Sequence, residues 1–89
     1  MRQVHYYSIG RYNGFHFYKE LLGDKYSVEF REEGRYVSVH FYFDNEGNPI
    51  IDNVYKKMTN YKAPQYLRKY RENKELYKAM MIVKAKREW

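Results

Sequence analysis

Alternation of apolar and polar positions is strongest over Lys25–Phe43, KYSVEFREEGRYVSVHFYF. It runs with period two on both sides of Glu33-Gly34, the pattern of two half-buried strands joined by a tight turn. A two-residue turn there sets Phe30 opposite Val37, Val28 opposite Val39 and Tyr26 opposite Phe41 on an apolar face. On the other, mostly polar face Arg31 meets Tyr36, Glu29 meets Ser38 and Ser27 meets His40, while Glu32 meets Arg35 at the tip. A slip of one residue would set Tyr36, Ser38 and His40 against the apolar row, so the register is specified. A type I′ turn demands positive φ at Glu33, unfavourable for a residue with a Cβ, and a bulge built on Gly34 is the alternative.

Upstream, Arg2–Ile9 (RQVHYYSI) is β-branched and aromatic and is bounded by Gly10, which predicts a strand. A short helix follows by the same reasoning: Asn13 can cap it, Phe15, Tyr18 and Leu22 fall at helical spacing, and Gly23 stands at the C′ position. After the hairpin, Asp44–Pro49 (DNEGNP) is a loop of turn formers, and Ile50-Ile51 adds a short strand. Asp52 or Asn53 then caps a helical turn through Met58. Pro64 sits in the first turn of a longer helix, where a missing N–H costs nothing.

Two endings are open. In one the helix reaches about Lys86, continuous or broken once at Asn73, with Tyr66, Tyr70, Leu76, Tyr77, Met80, Met81 and Val83 on its apolar arc. In the other it stops near Lys78, and MMIVKAK forms a last strand. The first gives βαββα, and the second gives the βαββαβ order of ferredoxin-like folds. Either is α+β, a small antiparallel sheet with a β-hairpin, a short N-terminal helix and a long basic C-terminal helix, in a single domain over residues 1–89.

A chain of 89 residues buries only roughly 60–65% of its unfolded surface, so its core must be well filled. The sequence offers twelve Tyr, five Phe and one Trp for that purpose. There is no cysteine, which removes disulfides and thiolate zinc sites and suits an intracellular protein. The longest apolar run, Ala79–Val83, is far too short to span a bilayer, and no secretory signal opens the chain. A soluble, cytoplasmic protein is expected.

Net charge changes the picture more. It is +6 in total, but residues 1–55 carry −2 and residues 56–89 carry +8. Such asymmetry points to a polyanionic partner. Wound as one helix, Arg68, Arg71, Lys74, Lys78 and Lys86 share an arc roughly 120° wide, interrupted by Glu75 and Ile82. Lys56, Lys57 and Lys62 extend the positive field ahead of it. Lysines and arginines so placed release counterions on meeting phosphates. Tyr61, just before the helix, is the residue best placed to stack on an unpaired base.

The elements of catalysis are absent by motif. GxxxxGK[ST], GxGxxG and GxSxG do not occur, and no thiol nucleophile exists. His5, His16 and His40 lie on separate elements without metal-ligand spacing. Asp44, Glu46 and Gly47 fail the calcium-loop pattern, because its first and twelfth positions would be Tyr42 and Asn53. No enzyme, metal or cofactor is expected.

Two functions remain. The first is a small nucleic-acid-binding module whose phosphate contacts are Arg68, Arg71, Lys74 and Lys78, assisted by Lys56, Lys57, Lys62 and Tyr61, with DNA or RNA as partner. The alternative is a non-catalytic inhibitor or accessory protein of the phage or mobile-element type. It would bind a host protein bearing an acidic or nucleic-acid-binding surface through Arg31, Tyr36, His40 and Tyr42 on the polar hairpin face. In a βαββαβ fold that face would display aromatics as RNA-recognition domains do, although GRYVSVHF lacks their glycine pattern. An exposed hairpin strand would also allow pairing into a homodimer.

Overall fold

The computed structural model describes residues 5–56, 61–62 and 66–87. The chain opens with β1 (Tyr6–Tyr12) and β2 (Phe15–Glu20), joined at Asn13-Gly14. Both turn residues have positive φ, 53° and 85°, the conformation that matches the twist of a two-residue hairpin. This corrects the expected helix from Asn13 to Gly23. Asn-Gly serves equally as a helix start and as a hairpin turn, and the neighbouring strand decides. Phe17 pairs with Val28 and is fully buried, whereas His16 and Tyr18 point to the opposite face beside Glu29 and Ser27. The strand expected at Arg2–Ile9 lies further along the chain, and its first residues, up to Val4, are outside the described residues.

β1 carries a bulge at Ile9, where pairing shifts between Ser8 and Gly10. Gly10 has φ 125°, and a Cβ there would stand 2.9 Å from the Tyr12 hydroxyl. Only glycine lets Tyr12 fold back over the strand, where its O–H donates to the Ile9 carbonyl at 2.9 Å.

β3 (Tyr26–Glu32) and β4 (Arg35–Phe43) pair in the predicted register at every position. The turn is the two-residue form, with Glu33 at φ 54° and Gly34 at φ 77°, and no bulge interrupts this hairpin. In the following loop the Asp44 carboxylate accepts hydrogen bonds from the backbone N–H groups of Glu46 and Asn48, at 2.9 and 2.8 Å. β5 then spans Pro49–Lys56. The helical turn expected after Asp52 or Asn53 is therefore strand as far as Lys56, and Met58 is outside the described residues. The long β4 offers a template that local capping signals cannot outweigh: Val54 pairs with Val39 and is buried, and a bulge between His40 and Phe41 absorbs Asp52.

A two-residue β6 (Tyr61–Lys62) completes a sheet in simple order β1-β2-β3-β4-β5-β6, antiparallel throughout. Both outer sides of the β3–β4 hairpin are occupied, by β2 and β5, so the described edges of the sheet are the two-residue β6 on one side and, on the other, β1. The bulge there disrupts the flat template that an approaching strand needs.

Two helices follow, α1 (Leu67–Arg71) and α2 (Lys74–Arg87). The break falls at Glu72-Asn73, where the Asn73 side-chain oxygen caps α2 by accepting from the Leu76 N–H at 3.0 Å. MMIVKAK is helical, which removes the βαββαβ ending. Both helices lie on one face of the sheet. Tyr70, Leu76, Ala79, Met80 and Val83 close over Phe17, Tyr26, Val28, Val37, Val39, Phe41, Ile51 and Val54. Phe41 is the centre of this core, edge-on to Phe17 at 6.0 Å and stacked on Tyr26 at 5.3 Å. Tyr26 and Tyr70 take positions that leucine would otherwise fill, and Tyr66 packs partly buried beside them. Tyr77, expected in the same stripe, is 48% exposed. No described helix is long and apolar enough to cross a membrane.

Candidate functional site

The two faces of the sheet carry different chemistry. The helical layer over residues 66–87 has eight Lys or Arg against two Glu. Arg68, Lys74 and Lys78 are exposed on it. Arg68 pairs with Glu72 at 3.2 Å and Lys78 with Glu75 at 3.6 Å, both on strongly solvated side chains. Pairs of this kind are weak and exchange readily for another anion. Arg71 differs: its guanidinium donates to the Ile51 carbonyl at 3.1 Å, tying α1 to β5. The expected basic arc is thus divided between two helices, with Arg68 and Arg71 on α1 and Lys74 and Lys78 on α2. The backbones of Lys56, Tyr61 and Lys62 lie at the β5–β6 pairing. Their side chains, and Lys57 altogether, are outside the described residues.

Polar contacts anchor the basic layer at both ends. Glu32 at the end of β3 accepts from the Tyr70 hydroxyl and pairs with the Lys69 ammonium at 2.7 Å. Burial and the bond to Glu32 push the Tyr70 phenol well above the usual tyrosine range. At the other end of the layer, Asn13 in the β1–β2 turn donates to the Glu75 carbonyl at 3.2 Å and to its carboxylate at 3.0 Å. That bond, and then Lys78, hold the Glu75 carboxyl below its ordinary value.

No described element covers the opposite face of the sheet. Arg31, Tyr36, His40 and Tyr42 lie there as predicted, with the Arg31 guanidinium 4.6 Å over the Tyr36 ring. The structure adds Tyr6, Ser8, His16, Tyr18 and Tyr55 from three other strands. His40 sits between the rings of Tyr6 and Tyr55, at 5.4 and 4.8 Å. Burial, helped by Lys25, holds its imidazole below the usual range, against the opposing pull of Asp52 and Glu29. Lys25 itself is bound to Asp52. The His16 ring meets the Ser8 hydroxyl at 2.7 Å through Nε2 and the Tyr18 hydroxyl at 3.2 Å through Nδ1. Beneath them the Ser27 and Ser38 hydroxyls share a buried bond of 2.9 Å. Among the described residues charge on this face is balanced, with Arg11, Lys25 and Arg31 against Glu20, Glu29 and Asp52. A shallow groove of about 970 Å³ runs between Arg11, His16, Tyr18, Glu29, Arg31 and Tyr36. Among the described residues no three His, Asp or Glu side chains gather as a metal-binding group.

Fold and surface together define a small α+β protein, an antiparallel meander with a basic helical layer on one face and a tyrosine- and histidine-rich open face on the other. Comparison with known protein families, with curated proteins and with solved structures finds no match.

Proposed function

We propose that the protein binds nucleic acid through phosphate contacts made by the helical layer, with Arg68, Lys74 and Lys78 as the principal contacts and Arg71 beside them. The observation that carries this reading is the charge of that layer, whose sequence holds eight basic residues against two acidic ones, with Arg68, Lys74 and Lys78 exposed, beside a sheet that carries no such excess. A polyanion approaching this side meets an attractive field within a Debye length of about 8–10 Å. It then displaces the weakly held Glu72 and Glu75 carboxylates from Arg68 and Lys78.

Binding of labelled single- and double-stranded DNA and RNA, titrated at about 50 and about 200 mM salt, tests this. The triple variant Arg68→Gln, Lys74→Gln, Lys78→Gln spares Arg71, whose bond to Ile51 also supports the fold. It is expected to weaken binding to every sequence and to flatten the salt slope by about 2–3 units, near one for each phosphate no longer met by a cation. Unchanged affinity and slope in a folded variant would remove the assignment.

The open face favours a second reading, a non-catalytic clamp on a partner protein. Its specific support is a surface rich in tyrosine that no described element covers and whose described charges balance, a composition suited to protein interfaces. This reading expects truncation of Tyr36 or Tyr42 to alanine to abolish function, with little dependence on salt. The phosphate reading expects both truncations to be silent in the DNA and RNA titrations.

A further inference from the structure

Helix α2 does not close completely on the sheet. Near its C-terminal end a cavity of about 350 Å³ opens between the helix and the β1–β2 edge. Tyr7, Tyr12 and Tyr26 supply aromatic walls, and Ile9 and Val83 supply apolar surface. Two ammonium groups stand beside these rings, Lys86 at 5.4 Å from the Tyr12 centroid and Lys19 at 5.5 Å from that of Tyr26. Lys19 is held by the carbonyls of Glu20 and Gly23. The Tyr12 wall exists because the Ile9 bulge and the positive φ of Gly10 fold that ring back across the strand.

We infer that this cavity takes one unpaired nucleobase of a single strand whose phosphates follow α2, an inference that rests on the nucleic-acid reading above. Tyrosine rings offer π-faces on which any base can stack. The adjoining ammonium groups complement the phosphate carried by the same nucleotide, a combination that an apolar ligand would not need. Lys74 at the start of α2 lies roughly 18 Å along the helix from Lys86 at the cavity, the reach of a few nucleotides. The volume is at the low end of the range for ligand sites, about 300–1,000 Å³, and suits one ring system rather than an extended ligand. A duplex keeps its bases stacked and paired, and presents one to the cavity only after unstacking it.

The test uses an oligonucleotide of about a dozen residues, close to the site sizes of single-strand binders, with 2-aminopurine at one position. Its matched duplex and adenosine monophosphate serve as the other two probes. Tyr7 is exposed at the sheet edge, so Tyr7→Ser is a fold-neutral variant; Tyr12→Leu keeps apolar volume, and Tyr36→Ala on the opposite face is the control. The expected result is tighter binding of the single strand than of the duplex, with quenched analogue emission. Tyr7→Ser and Tyr12→Leu should weaken single-strand binding about tenfold and leave the salt slope unchanged, while Tyr36→Ala should bind as the parent does. Equal binding of both forms, with unquenched emission and no effect of Tyr12→Leu, would overturn the cavity assignment; a steep salt slope would then leave the phosphate reading standing. Absence of binding to either form at about 50 mM salt removes both readings. Tighter binding of adenosine monophosphate than of the strand would overturn the inference in favour of a free-nucleotide site.

Discussion

Removing the Tyr70 hydroxyl is the sharpest probe of how the helical layer is held. Tyr70→Phe keeps the buried ring and its edge-on contact with Phe30 at 5.5 Å, and deletes only the O–H donated to Glu32. A hydrogen bond to a charged acceptor contributes about 1.5–3 kcal/mol. The lower end applies, because Glu32 keeps Lys69 at 2.7 Å and its side chain is 30% exposed to water. A loss of about 1.5 kcal/mol at roughly 4–8 °C per kcal/mol for a chain of this size lowers the melting temperature by about 6–12 °C. The pH dependence supplies an independent check. Burial and then the bond to Glu32 raise the folded-state pKa of Tyr70 above its unfolded value of about 10. This stabilisation is complete below pH 10 and is lost as pH rises toward the folded-state pKa, because the unfolded chain ionises first. The difference between parent and variant should therefore be constant from pH 7 to about 9 and shrink above about 10. Thermal melting followed by circular dichroism across that range measures it. A variant melting within about 2 °C of the parent, or a gap that persists undiminished at high pH, would refute the anchor.

The His40 environment makes a second pH prediction. Its pKa is depressed chiefly by burial and by Lys25, with Asp52 and Glu29 opposing and the Tyr6 and Tyr55 rings beside it. Its stabilising contribution is present above about pH 6.5 and is lost as pH falls below that value, because the unfolded chain takes up the proton first. Urea midpoints of His40→Gln should accordingly decline less than those of the parent between about pH 7 and 5. At the β1–β2 turn, Asn13→Gly preserves the positive φ and removes the tether to Glu75, whereas Asn13→Ala loses both. Alanine should cost about 1–2 kcal/mol more than glycine in urea unfolding, and equal midpoints would show that the turn carries no conformational demand. Gly10→Ala should destabilise the protein and disturb the Tyr12 side of the cavity together, since the new Cβ meets the Tyr12 hydroxyl at 2.9 Å. Unchanged melting would mean that the bulge adapts freely.

Of the candidate residues, the basic ones were legible and their grouping was not. Charge follows directly from composition, and lysines in a helix with few acids are exposed almost wherever the helix packs. The division of the arc was visible only as a helix break at Asn73, a residue that caps more readily than it continues a turn. Arg71 shows the limit: its bond to the Ile51 carbonyl depends on where α1 lands on β5, twenty residues away in sequence. The cavity is further from reach, since Tyr7 and Tyr12 meet Val83 and Lys86 only because α2 crosses the β1–β2 edge. The local sign of it was a glycine inside an aromatic strand, a pattern that marks a bulge or a close approach.

The β3–β4 hairpin was determined by the chain alone. Period-two alternation admits only one register when one face is buried, and Gly34 supplies the turn, so every pairing follows without knowledge of the remaining residues. Elsewhere local signals were degenerate. Asn13-Gly14 fits a helix start as well as a hairpin turn, and Asp52-Asn53 fits a cap as well as a bulge. Each resolved toward strand because an adjacent strand offered a ladder of backbone hydrogen bonds and an apolar row that buried Phe17 and Val54. Likewise, which tyrosines became core and which stayed at the surface was a tertiary decision. Tyr70 and Tyr77 lie on the same helical stripe when the segment is wound as one helix. The break at Glu72-Asn73 turns Tyr70 into the sheet and leaves Tyr77 facing solvent.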